Sequence, residues 1–286
     1  MTPTGNPPLL HPGDRVVVVS PAGPVAAPLL DAGVAWLRKW DLDVRVAPSA
    51  LATHPTLPYL AGHDPDRAHD LRRAWLDPDV AGVLCARGGY GSARTARLLD
   101  WTALAAHRKV FLGSSDTTVL HDGFRQAGVP TWFGPMIGTT AFVEDTAARD
   151  HLRRALFTGV TSYRGVGTVP GTARGTAVGG TLSLLRTPPP DGAIALLEDV
   201  NEEPYRVDRM LTDLLNSGWF DHVAGIVLGS WTGCGDLAPV FADRLAGLGV
   251  PVVADTPFGH CAGQLTVPLG VSVEIDGGTG VVTVGT

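Results

Sequence analysis

Apolar residues follow two rhythms along the first half of the chain. "RVVVVS" (15–20) is an unbroken apolar run, as expected of a strand buried on both faces. "APLLDAGVAWLRKW" (27–40) spaces its apolar residues as a helix does, and "DVRVAPS" reads as a second strand. The alternation continues with a helix at "DRAHDLRRAWL", a strand at "AGVLCAR", a helix at "SARTARLL", a strand at "KVFLG" and a helix at "TTVLHDGFRQAG". A short strand "PTWFG" and a helix "TAARDHLRRALFTG", ending at Gly159, complete the series. This spacing predicts βαβ units and a parallel sheet.

Beyond Gly159 the pattern changes. "VTSYRGVGTVPGTARGTAVGG" is rich in Gly and Thr and has no helical period, which places a domain boundary near 160–175 and divides the chain into 1–165 and 166–286. The second part opens with a strand "AIALLED" (193–199). A helix follows from Pro204, with Val207, Met210, Leu211, Leu214 and Leu215 on one face and Gly218 as its C-terminal cap. A strand "AGIVLGSW", a helix "APVFADRLAGLG", a strand "PVVAD" and a hairpin across "VSVEID-GG-TGVVTV" end the chain.

Composition narrows the function classes. With 44% hydrophobic and 17% charged residues over 286 positions, the chain can bury a substantial core. A net charge of -6 without a basic run argues against nucleic-acid and anionic-membrane partners. The start, "MTPTGNPPLLHPGD", does not read as a signal peptide, and no apolar run is long enough for a bilayer, so the expected location is the cytoplasm. Cys85, Cys234 and Cys261 are an odd, dispersed set with neither disulfide nor zinc spacing.

Ligands of open parallel sheets bind beyond the carboxyl ends of the strands. Those exits are "SPAGP" (20–24), "ARGGYGS" (86–92), "GSSDTT" (113–118) and "LEDVNEEPY" (197–205). Gly113-Ser114-Ser115 fits a nucleophile elbow, in which the third residue turns from strand to helix, although Thr117 replaces the usual second glycine. Ser115 is then the nucleophile and the Asp116 N–H an oxyanion donor; alternatively, Ser115 or Asp116 merely caps the helix. The glycines of "ARGGYGS" suit a second oxyanion donor, a phosphate loop or a plain turn. Among nine histidines, His260 follows a strand and a glycine in a loop of small residues, which suits a general base. His121 reads as pointing along the surface, and His107, His151 and His222 as solvated. Glu198 ends an apolar strand and is the acid most suited to orient an imidazole; Asp199 faces the other way, and Glu202 and Glu203 suit the next helix's N-terminus.

Taken together, "RGGYG" (87–91), "GSSDTTVLH" (113–121), "LLEDVNEEPYRVDRML" (196–211) and "GHCAGQLTVPLG" (259–270) resemble the LD-carboxypeptidase family of serine peptidases, which includes the enzymes that confer immunity to microcin C. "GDRVVVVSPAGP" and "VGGTLSLL" (178–185) share the likeness, which spans roughly 13–275. The resemblance implies a flavodoxin-like N-terminal α/β domain and a C-terminal domain with a small β-barrel-like sheet. It implies a Ser115-Glu198-His260 triad, oxyanion donors at Asp116 and Gly89, and a homodimer, with no metal or cofactor. Arg87, with Tyr90 beside it, is the candidate for holding the substrate carboxylate. The implied reaction is release of D-alanine from a muropeptide across an L,D-bond. The alternatives are hydrolysis of a microcin-C-like aminoacyl-nucleotide and, without catalysis, nucleotide or sugar binding. The connector "RTPPPDG" (186–192) is short for the family.

Overall fold

The apolar runs of the first half form five strands: β1 (Arg15–Val19), β2 (Asp43–Val46), β3 (Val80–Cys85), β4 (Val110–Gly113) and β5 (Thr131–Phe133). In the computed structural model, which describes residues 5–285, they are all parallel and ordered β5-β4-β3-β1-β2. That is the flavodoxin order, and its switch point lies between β1 and β3. The helices are α1 (Ala27–Lys39), α2 (Asp64–Leu76), α3 (Ser92–Ala96), α4 (Trp101–Ala105), α5 (Thr118–Gln126), α6 (Thr140–Val143) and α7 (Thr146–Thr158).

The strands show why continuous apolar runs were needed. Val16, Val18, Leu84, Val110 and Leu112 face one layer, packing on α1, α6 and α7 through Leu30, Leu37, Phe142 and Leu152. Val19, Val83, Cys85 and Phe111 face the other, against Leu71 and Trp75 of α2 and Leu120 and Phe124 of α5. Side chains alternate across the sheet, so both alternating sets must be apolar.

The second half contributes β6 (Ser162–Arg164), β7 (Val166–Val169), β8 (Thr172–Thr181), β9 (Ala193–Glu198), β10 (Val223–Leu228), β11 (Val252–Ala254), β12 (Val267–Leu269), β13 (Ser272–Asp276) and β14 (Val281–Val284), with helices α8 (Pro204–Asn216) and α9 (Ala238–Leu245). Eight of these strands make a mixed sheet ordered β6-β14-β13-β8-β9-β10-β11-β7. Its end strands β6 and β7 are separated in the chain by Gly165 alone, so the sheet must curl until its two edges meet. Chain continuity, not a ladder between β6 and β7, brings them together, and the barrel-like sheet is therefore not a closed barrel. Inside the curl lie Ile194, Leu196, Val227, Val253, Val273, Ile275 and Val282.

The strand β12 is unexpected. It leaves the second half and pairs antiparallel with β5, becoming the sixth strand of the first sheet. Val267 and Leu269 thereby share a buried cluster with Phe133 and with the interior of the curl. The glycine-rich stretch after Gly159, which carries no helical signal, is strand throughout β6 to β8. Gly180, at φ 126, lets β8 run against α5; a Cβ there would lie 2.6 Å from the Thr118 hydroxyl. Among the described residues, no helix is long and apolar enough to cross a membrane.

Candidate active site

The chain turns sharply where β4 ends. Ser115 has φ 56, a left-handed conformation that non-glycine residues adopt at a cost of about 1–2 kcal/mol. A single 3₁₀ turn, Ser115–Thr117, separates β4 from α5. Thr117, at the place of the second glycine, is accommodated by the first: its Oγ1 would lie 2.3 Å from a Cβ at Gly113. Neither Ser115 nor Asp116 caps α5 through its side chain. The Asp116 carboxylate instead accepts the Ser92 N–H at 2.7 Å, and the Ser92 hydroxyl donates to the Asp116 carbonyl, fastening the elbow to the start of α3. Burial lifts the Asp116 carboxyl above its ordinary 3.8 against those hydrogen bonds.

The loop after β3 lies directly over the serine. A Cβ at Gly88 would sit 2.9 Å from Ser115 Cβ, 3.1 Å from Oγ and 3.2 Å from the Asp116 nitrogen. Gly88 was not among the sequence candidates, though the triple-glycine loop carried the signal. Gly89 has φ 96, and Gly23 of the β1 exit supports the loop by donating its N–H to Gly88 O at 2.9 Å. Among the described residues, neither the Asp116 N–H nor the Gly89 N–H donates to another residue. Beneath, the buried guanidinium of Arg67 ties the exits together, donating to Pro21 O at 3.3 Å, Gly62 O at 2.7 Å and Thr95 Oγ1 at 3.2 Å.

From the second half, Glu198 ends β9 with no exposed surface. Its Oε2 accepts His260 Nδ1 at 2.7 Å and the His260 backbone N–H at 3.2 Å. Its Oε1 accepts the Thr181 hydroxyl at 2.5 Å. Gly259, at φ 95, permits this approach, since a Cβ there would lie 2.5 Å from Glu198 Oε2. Thr181 also reaches the elbow: its N–H donates to the Thr118 hydroxyl at 3.1 Å, which donates to Ser115 O at 2.8 Å. Burial opposes protonation of the His260 ring, but the hydrogen bond and charge of Glu198, reinforced by Asp199, outweigh it and hold the imidazole above its ordinary 6.5. Asp199 faces away, accepting the N–H groups of Ser183 and Val200.

Ser115, His260, Arg87, Gly88 and Gly89 line one cleft of about 850 Å³, within the range of small-molecule sites. No hydrogen bond joins Ser115 to His260 in this arrangement. Arg87 donates to Pro24 O at 2.8 Å and keeps its other donors toward solvent. Tyr90 lies outside the lining, edge-to-face with Tyr59 at 5.7 Å. Thr139, Thr140, Glu144, Asp145 and Gln264 also line the cleft, and none stood out in the sequence.

Two histidine expectations are corrected. His121 is 2% exposed, packed between Phe111 and Phe133, with Nδ1 2.7 Å from the Thr131 hydroxyl; burial pushes its pKa down to about 4. It falls one helical turn before Phe124, on the apolar face of α5. His151 is half-buried, accepting the Thr266 N–H at 3.0 Å through Nδ1. His222 contacts Asp191, and Arg206 pairs with Glu202 at 2.7 Å as expected of helix-end charges.

A flavodoxin-ordered sheet whose β3, β4 and β5 exits share a cleft with the His260 loop of the second half defines a mixed α/β protein with a cleft between its two parts. The family model described as the LD-carboxypeptidase N-terminal domain matches residues 16–134, and that of the LD-carboxypeptidase C-terminal domain matches 174–275. The chain belongs to the LD-carboxypeptidase family. A Streptomyces coelicolor protein, provisionally named a carboxypeptidase, is 52% identical over 97% of this chain and 95% of its own. The murein tetrapeptide carboxypeptidase of Pseudomonas aeruginosa is 30% identical over 92% of this chain and 93% of its own. Among solved structures, the muramoyltetrapeptide carboxypeptidase of Oxalobacter formigenes superposes with a TM-score of 0.85 at 27% identity, covering 95% of this chain and 99% of that one. The microcin C7 self-immunity protein, solved with aspartyl sulfamoyl adenosine, shares the fold at a TM-score of 0.86 and 21% identity, covering 99% of each chain.

Proposed function

We propose that the protein is a serine carboxypeptidase that releases a terminal D-amino acid from a muropeptide across an L,D-amide bond. The observation that carries this reading is the buried Glu198 gripping His260 at 2.7 Å in the same cleft as a serine held at a left-handed elbow. In this reading Ser115 Oγ attacks the carbonyl carbon, and His260 Nε2 takes the hydroxyl proton and later returns it to the leaving amine. Glu198 fixes the tautomer with the proton on Nδ1 and stabilises the imidazolium. The N–H groups of Asp116 and Gly89 receive the oxyanion. Water then attacks the acyl-enzyme by the same proton route. Arg87 has donors free for the terminal carboxylate, and Glu144, whose carboxylate has no partner among the described residues, offers it to a substrate ammonium.

Two supports favour the peptide over an aminoacyl-nucleotide. Relatives named for murein peptides match more of the chain at higher identity than the microcin self-immunity protein, which is 24% identical over 76% of it. Among the described residues no Phe, Tyr or Trp lines the cleft, whereas a nucleobase is best held by stacking on an aromatic ring. Mass spectrometry with a murein tetrapeptide and an aminoacyl-sulfamoyl adenosine side by side tests the choice. Loss of D-alanine from the first, with the second intact, is the expected result. Cleavage of the second alone would transfer the site to the nucleotide class, and binding without turnover of either would make the protein a binder.

Gly88→Ala tests the ceiling of the site. The new methyl would press on Ser115 and on the Asp116 nitrogen, so kcat is expected to fall about 10²–10³-fold, the loss typical of one oxyanion donor. A variant with unchanged turnover would place the oxyanion elsewhere.

A further inference from the structure

Asp145 makes two bonds in opposite directions. Its Oδ1 accepts the Ala148 N–H at 3.0 Å and so caps α7. Its Oδ2 accepts the Gly263 N–H at 2.6 Å, in the loop that carries His260 and 118 residues further along the chain. On the same helix, His151 accepts the Thr266 N–H at 3.0 Å. Burial, aided by the charge of Arg154, holds this imidazole below its ordinary 6.5, which keeps the Nδ1 lone pair available. The two amides of Ala148 and Gly263 hold the Asp145 carboxyl below its ordinary 3.8, as an acceptor-only group requires.

The position of these bonds gives them meaning. The nucleophile and the base come from different halves of the chain, and no hydrogen bond yet joins them. Within the second half, His260 is held by Glu198 and by the Thr232 hydroxyl, which donates to His260 O at 2.6 Å. Those contacts fix the ring to its own sheet, which meets the elbow through the Thr181 N–H and the Thr118 hydroxyl. The reach of the loop toward the nucleophile's half is set between His260 and β12, where Asp145 and His151 hold it.

We propose that Asp145 is a positioning residue that clamps the His260 loop to the nucleophile's half and so sets the approach of the imidazole to Ser115. This rests on reading Ser115 and His260 as nucleophile and base. A helix cap can be supplied by serine or asparagine as well as by aspartate, so the two bonds of Asp145 are separable by substitution. Asp145→Ser keeps a capping oxygen but is too short to span to Gly263. Asp145→Asn keeps the cap and presents an amide N–H₂ to the Gly263 N–H.

The experiment measures kcat and KM for the tetrapeptide, the rate of Ser115 labelling by a fluorophosphonate, and the melting temperature, for the wild-type chain and both variants. The expected result is a fall of about 10–100-fold in kcat and labelling rate, as a displacement near 1 Å costs. KM should stay within about twofold in the same series, because the clamp is made to the base's loop and not to substrate. Melting temperatures should stay close to wild type. Labelling of Asp145→Ser at the wild-type rate overturns the clamp while leaving the serine reading intact. So does a loss that simply follows a lowered melting temperature in both variants. A wild-type chain that hydrolyses nothing and does not label overturns the serine reading, and the clamp with it.

Discussion

Ser115→Ala is expected to lower kcat for the murein tetrapeptide by about 10⁴–10⁶-fold while leaving KM within a few-fold. In the proposed mechanism this hydroxyl forms the covalent bond, and burial keeps the Cys261 thiol of the same cleft protonated. The adjacent Ser114 also lines the cleft but is buried, in extended backbone just after β4 at φ -163. Its carbonyl is occupied by the Thr117 N–H and hydroxyl. What residual turnover survives would come from the oxyanion donors and from binding alone. The fold should be indifferent, since the Ser115 hydroxyl makes no hydrogen bond that holds the elbow; Thr118, Ser92 and Gly113 do that work. Steady-state kinetics with a melting curve checks both halves of the expectation, and turnover within tenfold of wild type would remove Ser115 from the mechanism.

Glu198→Gln has the next largest expected effect, about 10⁴-fold in kcat, because a neutral amide cannot hold the imidazole in the required tautomer or stabilise its cation. Its pH dependence is more diagnostic than its size. In the wild type the base works as neutral imidazole, and Glu198 raises His260 above 6.5 against the pull of burial. Activity should therefore fall with decreasing pH along a limb that lies above 6.5. In the variant burial remains and the carboxylate is gone, so the limb should move below that value. Stability follows the same linkage. A raised histidine pKa contributes stability that is fully present below 6.5 and lost as pH rises through the folded-state value. The stability gap between wild type and variant should thus narrow from acidic to alkaline pH. The gap includes a fixed part, since the buried amide leaves one of the donors from Thr181 and His260 without an acceptor, at about 1–3 kcal/mol. An acid limb that stays in place would detach Glu198 from the base.

The strand exits were readable because continuous apolar runs leave little else for them to be. "KVFLG" into "GSSD" announces a buried strand opening on a turn, and Glu198 at the end of "AIALLE" announces an acid held by a rigid strand. What local pattern could not carry is distance. The strand β12 is three residues long with a proline inside, and its partner β5 lies more than 130 residues earlier, so "TVPLG" looked like loop. Asp145 has the sequence signature of a helix cap, and its second oxygen finds a partner that no spacing rule connects to it. His121 is a different case: the period of α5 aligns it with Thr118 and Phe124 on the buried face, but its polarity outweighed its position. Gly88 was hidden by abundance, one of three glycines in a loop where any of them could have been the one over the nucleophile.

The most direct measurement is the site of covalent capture. A fluorophosphonate incubated with the intact protein, followed by cleavage at Lys109 and Arg125 and fragment-ion mapping of the peptide between them, resolves Ser114 from Ser115. A single adduct on Ser115, formed more slowly as pH falls below the His260 titration and lost in His260→Ala, is the expected result. An adduct on Ser114, or labelling of Ser115 that proceeds equally well without the ring of His260, would contradict the proposed pairing of the two halves.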